Sequence, residues 1–131
     1  MFLVIEGEAR IDHPTPEQIF DALASLDGAK KTFMILELPS GSYIQVGGGS
    51  DEYTAEVRVY KSADEYKHWK AEIPDTKALK KRRIYIAGSQ VSVMHNQVLN
   101  QNTVQKLIES FVNGDLLCAC VKWSDMTSMF I

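Results

Sequence analysis

The sequence predicts an α+β domain, a mainly antiparallel sheet of about six or seven strands with two main helices packed on one face. Three observations carry that prediction. Val104, Leu107, Ile108, Phe111 and Val112 repeat at i, i+3, i+4, i+7 and i+8, the spacing of one apolar helical stripe. A second stripe, Ile19, Phe20, Leu23 and Leu26, follows a helix-start signal at Thr15. Between and beyond them, short β-prone segments are joined by tight-turn residues, which favours hairpins and hence antiparallel pairing. With 131 residues the chain is read as one domain, 1–131, long enough to bury a single core.

Phe2 to Ile5 is apolar and β-prone, and Ala9-Arg10-Ile11 continues it or pairs with it after Gly7. The first helix starts at Thr15: Pro16 suits the first helical position, Gln18 completes a Thr-x-x-Gln capping box, and Gly28 ends the segment. Thr32 to Leu38 reads as a strand, Pro39 to Ser42 as a turn, and Tyr43 to Val46 as its hairpin partner. Gly47-Gly48-Gly49 is read as a tight turn or bulge before Tyr53 to Tyr60, where Tyr53, Ala55, Val57 and Val59 alternate with polar residues. Ser62-Ala63-Asp64-Glu65 fits a capping box, so Ser62 to Ala71 is a short helix or, because Pro74 follows, an irregular excursion. Ile84 to Ala87 and Gln90 to Met94 form a hairpin around Gly88-Ser89. Asn102 caps the second helix and Asn113-Gly114 ends it, after which Leu116 to Trp123 alternates as a closing strand. The tail, with Met126, Met129 and Phe130, tucks onto the core or lies exposed.

Hydrophobic residues make up 45% and charged residues 24%, a balance that fits neither a disordered chain nor a membrane protein. No apolar run approaches the ~18–20 residues of a spanning helix. The N-terminus lacks the basic segment of a signal peptide, so a cytoplasmic location is expected. Charge is uneven: residues 1–66 sum to −7 and residues 67–131 to +4. Such asymmetry can steer a basic partner, or it can be ordinary solvated surface. Cys118 and Cys120 fall on the closing strand with both side chains on one face; a C-x-C pair is half a zinc site at most, so buried, reduced thiols are expected.

No catalytic residue, metal site or cofactor is expected, and the chain is read as not an enzyme. Gly47-Gly48-Gly49-Ser50 lacks the Lys-Ser/Thr pair and following helix of a phosphate loop, and Asp51 and Glu52 would repel phosphate. His13, His68 and His95 are not in metal-ligand pairs, and no G-x-S-x-G elbow presents a serine. Lys77, Lys80, Lys81, Arg82 and Arg83 form the one run suited to nucleic acid, without an accompanying aromatic platform. Nucleic-acid binding through this run is the alternative function.

In order along residues 33–125, the sequence contains a strand ending in Gly47-Gly48-Gly49, the hairpin Ile84 to Met94 and the lead-in Asn96-Gln97-Val98-Leu99. A helix ending in Phe111-Val112-Asn113-Gly114 and a closing Val121-Lys122-Trp123-Ser124-Asp125 follow. This succession resembles a bacterial immunity-protein family found beside deaminase and other toxin domains in polymorphic and contact-dependent toxin systems. The basic run and the tail after Asp125 lie outside the pattern. The resemblance implies a protein that binds and neutralises a cognate toxin domain of deaminase or nuclease type. On that expectation, Asp51, Glu52 and Glu56, with Tyr53 as aromatic anchor, form part of the toxin-binding surface. Gly47, Gly48, Gly49, Phe111, Gly114 and Trp123 are expected to be structural, with Asp125 in the same motif. No membrane partner is expected, and open sheet edges would allow a homo-oligomer.

Overall fold

The computed structural model describes residues 1–74 and 81–130. Its strands are β1 (Phe2–Ile5), β2 (Ile11–Asp12), β3 (Phe33–Glu37), β4 (Tyr43–Gly49), β5 (Glu52–Ser62) and β6 (Glu65–Glu72), then β7 (Lys81–Ile86), β8 (Ser89–Met94) and β9 (Lys122–Asp125). The helices are α1 (Pro16–Ser25) and α2 (Gln101–Val112). An antiparallel sheet runs β2-β1-β3-β4-β5-β6-β9, and β7-β8 is a separate hairpin. The expected α+β class is therefore observed.

Alternation along the strands determines where the core lies. Leu3, Leu36, Ile44 and Val57 occupy linked positions across β1, β3, β4 and β5, so they share a face. These residues and Met34, Val46 and Ala55 are buried against Ile19 and Leu23 of α1 and Val104, Leu107, Ile108 and Phe111 of α2. Each helix thus lays its apolar stripe on one sheet face. Thr15 caps α1 as expected: its hydroxyl accepts from Gln18 N–H at 3.1 Å while Gln18 Oε1 accepts from Thr15 N–H at 2.9 Å.

The second helix starts earlier than expected. Asn100, rather than Asn102, is its cap, accepting from Thr103 N–H at 2.8 Å, and Asp51 Oδ1 takes a second first-turn donor, Gln101 N–H, at 2.8 Å. Two side chains from separate parts of the chain therefore satisfy N–H groups that the helix itself leaves unpaired.

The three glycines are strand residues rather than the turn. Gly47, Gly48 and Gly49 pair with Thr54, Tyr53 and Glu52, and Ser50-Asp51 makes the turn with φ of 53° and 66°. They are glycines because other backbone and side chains come close. A Cβ at Gly47 would lie 2.5 Å from Ile86 Cδ1, one at Gly48 would overlap the Glu52 carbonyl oxygen, and one at Gly49 would overlap the Gly28 nitrogen. Gly48 also holds φ at +102°. The β7-β8 hairpin is seated at this end of β4, where Ala87 N–H donates to Thr32 Oγ1 at 2.8 Å.

Two further expectations are corrected. Ser62 to Ala71 is not a helix: β6 pairs with β5 after a turn at Ala63-Asp64. Pairing satisfies its backbone and turns Ala71 to the core, whereas Tyr66, Trp69 and Ile73 are too sparse to cover a helical stripe. Leu116 to Trp123 is not a continuous strand either. Residues 115–121 turn, and pairing with β6 begins only at Lys122. Cys118 and Cys120 occupy that turn as a disulfide, with Cys118 half-buried and Cys120 exposed, instead of forming a buried reduced pair. The basic run is split: Lys81, Arg82 and Arg83 belong to β7, while Lys77 and Lys80 lie outside the described residues.

Candidate functional site

The sheet face opposite the helices carries a cluster that sequence patterning did not single out. Tyr43 on β4 pairs with Arg58 on β5, which pairs with His68 on β6, so the three side chains stand in one row. Glu56 and Tyr66 are diagonal neighbours in the same face, and the C-terminal 3-10 turn, Thr127–Phe130, brings Phe130 over it.

His68 is only 2% exposed, and both ring nitrogens are occupied. Arg58 Nε–H donates to His68 Nδ1 at 3.1 Å, and since a guanidinium has no acceptor, Nδ1 must be unprotonated. Nε2–H then donates to Glu56 Oε1 at 2.7 Å, which fixes the tautomer. Burial pushes the Glu56 carboxyl upward, but the His68 bond and the nearby Lys70 and Arg58 charges outweigh it and hold it below the ordinary carboxylate value. With both nitrogens hydrogen-bonded, His68 ties Arg58 to Glu56.

The residue it orients is Arg58. Its guanidinium carbon lies 4.1 Å from the centre of the Tyr66 ring, 4.6 Å from Phe130 and 5.6 Å from Tyr43. These are cation–π distances, and stacking of this kind restricts a long side chain without consuming its terminal donors. Among the described residues, no carboxylate forms an ion pair with Arg58. Tyr60 extends the aromatic surface, its ring 5.4 Å from that of Tyr66. The C-terminal turn is tied down by main chain as well as by Phe130: His68 N–H donates to Thr127 Oγ1 at 2.9 Å and Met126 N–H to the His68 carbonyl at 2.8 Å. Phe130 remains 48% exposed and Met129 71% exposed, so the tail both contacts the sheet and presents apolar surface.

The four residues expected to form a toxin-binding patch do not form one surface. Asp51 is committed to the start of α2, and Glu52 forms an ion pair with Arg82. Tyr53 is 2% exposed and exchanges two main-chain bonds with Leu99, so it is a core residue and not an exposed anchor. Only Glu56 lies in the cluster, and it got there by strand parity. The residues read as structural include Phe111, buried at 1% exposure, and Gly114, which has φ of +96° after α2. Trp123 packs at the core margin and its indole N–H donates to the Cys118 carbonyl at 2.9 Å. Asp125 caps the C-terminal turn through Thr127 N–H at 2.9 Å and Thr127 Oγ1 at 2.5 Å, bonds that hold its carboxyl below the usual range.

A second surface lies on the hairpin. Lys81, Arg83 and Tyr85 alternate along the exposed side of β7, so the basic residues do have an aromatic neighbour. Arg83 and Tyr85 also border a cleft with Asp27, Ser50, Glu52 and Gln90, whose two carboxylates offset the cation. The described residues contain no cluster of three or more His, Cys, Asp or Glu suited to a metal ion, and no described helix is long and apolar enough to cross a membrane. Comparison with protein-family models, curated proteins and solved structures yields no match.

Proposed function

We propose that this chain is an immunity protein of the kind its sequence resembles, acting in the cytoplasm by binding a deaminase- or nuclease-type toxin domain and occluding its active or substrate site. The observation that carries this proposal is the caged Arg58 on the open sheet face. Arginine and tyrosine dominate binding energy at protein interfaces, and here Arg58 is pre-ordered by Tyr43, Tyr66 and Phe130. A side chain already held in place loses little entropy when a partner binds. The proposed contact surface therefore moves from Asp51, Glu52 and Tyr53 to this face, and Glu56 acts there through His68. The acidic excess of residues 1–66 contributes long-range attraction to an electropositive toxin.

The test is co-expression with the toxin domain encoded beside this chain, scored by cell survival and co-purification. Wild-type protein rescues and co-purifies, and Arg58→Ala weakens the complex by about 2 kcal/mol, roughly thirtyfold. Arg58→Lys, which keeps the charge but loses the planar stack, also weakens it. No rescue from a toxin shown to be active refutes the immunity function, whereas rescue with unchanged affinity in both variants refutes the location of the surface.

One observation favours a second function, nucleic-acid binding by β7: Lys81, Arg83 and Tyr85 share an exposed strand side. Its signature would be salt-sensitive retention on a nucleic-acid matrix that is lost in a Lys81→Ala, Arg83→Ala, Tyr85→Ala triple variant. Retention that is absent at low salt would eliminate it.

A further inference from the structure

We infer that Cys118 and Cys120 form a thiol–disulfide exchange site for a small monothiol, in which Cys120 is the sulfur attacked and Cys118 the leaving group. The cavity beside the two cysteines shares Tyr66 with the Arg58 cage, but the exchange chemistry does not depend on the proposed toxin. Its two Cα atoms are 5.3 Å apart with one residue between them, a separation a disulfide can span. Closing so short a loop removes little freedom from the unfolded chain, so the bond does little as a staple.

The surrounding residues make the two sulfurs unequal. Leu117 and Val121 pack toward the core on either side of the turn, and Trp123 N–H grips the Cys118 carbonyl at 2.9 Å. Cys118 is consequently half-buried, while Ala119 and Cys120 are displayed to solvent. Of the two residues, Cys120 is the more exposed, which makes its sulfur the one assigned to the incoming thiolate. The Cys120 backbone N–H points at Cys118 Sγ at 3.3 Å, so negative charge developing on Cys118 as the bond breaks meets a donor already in place. Beside the turn, Leu117 also lines a cavity of about 380 Å³ with Tyr66, Trp69, Lys61, Lys67 and Glu65, which gives the rest of a small thiol somewhere to lie.

The chemistry balances with the thiol as reductant. A thiolate RS⁻ attacks Cys120 Sγ, forming a Cys120–S–S–R bond. The Cys118–Cys120 bond breaks, and its electron pair leaves on Cys118. A second RS⁻ attacks the R-bearing sulfur, releasing RSSR and the Cys120 thiolate. The protons from the two RSH molecules end on the protein thiols. Run backwards, the same steps reoxidise the pair, with Cys118 resolving the mixed disulfide on Cys120.

Glutathione is the probe. Full-length wild-type protein is exposed to limiting reduced glutathione, quenched with acid, alkylated and mapped by mass spectrometry. The glutathione adduct is expected on Cys120. In parallel, the single-thiol variants C118A and C120A are treated with oxidised glutathione, and Cys120 in C118A is expected to form its adduct about tenfold faster than Cys118 in C120A. Adduct mainly on Cys118, or equal rates in the two variants, overturns the proposed order of attack. A wild-type pair that stays fully reduced in oxidised glutathione overturns the site altogether. The wild-type mapping requires no substitution, so a folding defect in either variant leaves it decisive.

Discussion

Gly48 offers the most direct test of why the chain carries three successive glycines. In Gly48→Ala the new Cβ would overlap the Glu52 carbonyl oxygen and lie 3.2 Å from Tyr53 Cα and 3.0 Å from Ile84 Cγ2. The first two are backbone atoms of the paired strand β5 and cannot swing aside as a side-chain tip can. Overpacking of this kind costs about 1–3 kcal/mol. The positive φ of 102° adds about 1–3 kcal/mol for an L side chain. Gly114 supplies the control, because its φ is +96° but a Cβ there meets nothing within 4 Å. Gly114→Ala therefore carries the conformational cost alone, and loss of glycine's freedom in the unfolded chain cancels between the two variants. Urea unfolding at equilibrium measures the difference. With an m-value of about 2 kcal/mol per molar, an extra ~2 kcal/mol lowers the midpoint of Gly48→Ala by about 1 M relative to Gly114→Ala. Midpoints for the two variants that agree within error, at equal m, would show that close approach is not the reason for this glycine.

The remaining predictions concern helix α2 and the Glu56–His68 pair. Asn100→Ala should destabilise by about 1 kcal/mol while Asn102→Ala changes stability by less than about half that, measured by the same unfolding curves. The reverse ranking would restore the cap to Asn102. Because the folded-state carboxyl of Glu56 is held below its ordinary value of 4.5, its contribution is fully present above about pH 4.5 and is lost as pH falls through the lower, folded-state value. Glu56→Gln should therefore flatten the stability curve on the acid side of pH 4.5 relative to wild type. An unchanged acid limb would mean that the His68 bond does not favour the ionised carboxylate.

Local signals in the sequence were reliable where a feature is settled by its neighbours in the chain. Thr15, Pro16 and Gln18 placed the start of α1 because all the atoms of a capping box lie within one turn. The stripe of α2 was visible for the same reason. The cap was not, because Asn100 and Asn102 are chemically equivalent, and Asp51, fifty residues upstream, supports the start at Gln101. The β6 segment reads locally as a helix start because a capping-box pattern at Ser62 competes with strand pairing, whose energy comes from β5 and β9 and is invisible locally. Arg58 carries no local signal. Nothing about one arginine in a strand foretells three rings from β4, β6 and the C-terminal turn, although strand parity does put Arg58 on the same side as Glu56, and Tyr53 on the other. Applied to the hypothesised patch, that parity alone would have separated Tyr53 from Glu56.

The two margins of the seven-stranded sheet are among its least extended parts. β2 contributes two residues, and β9 contributes four before Asp125 and Thr127 roll the chain into a 3-10 turn. A strand from another chain arriving at either margin would find a few backbone donors and acceptors and then a bend, with Lys122 presenting charge. Lengthwise growth of the sheet is blunted at both sides. A protein meeting this sheet would therefore approach its face, out of the plane of the strands, and would have to match the chemistry of the side chains standing there instead of continuing the hydrogen-bond ladder.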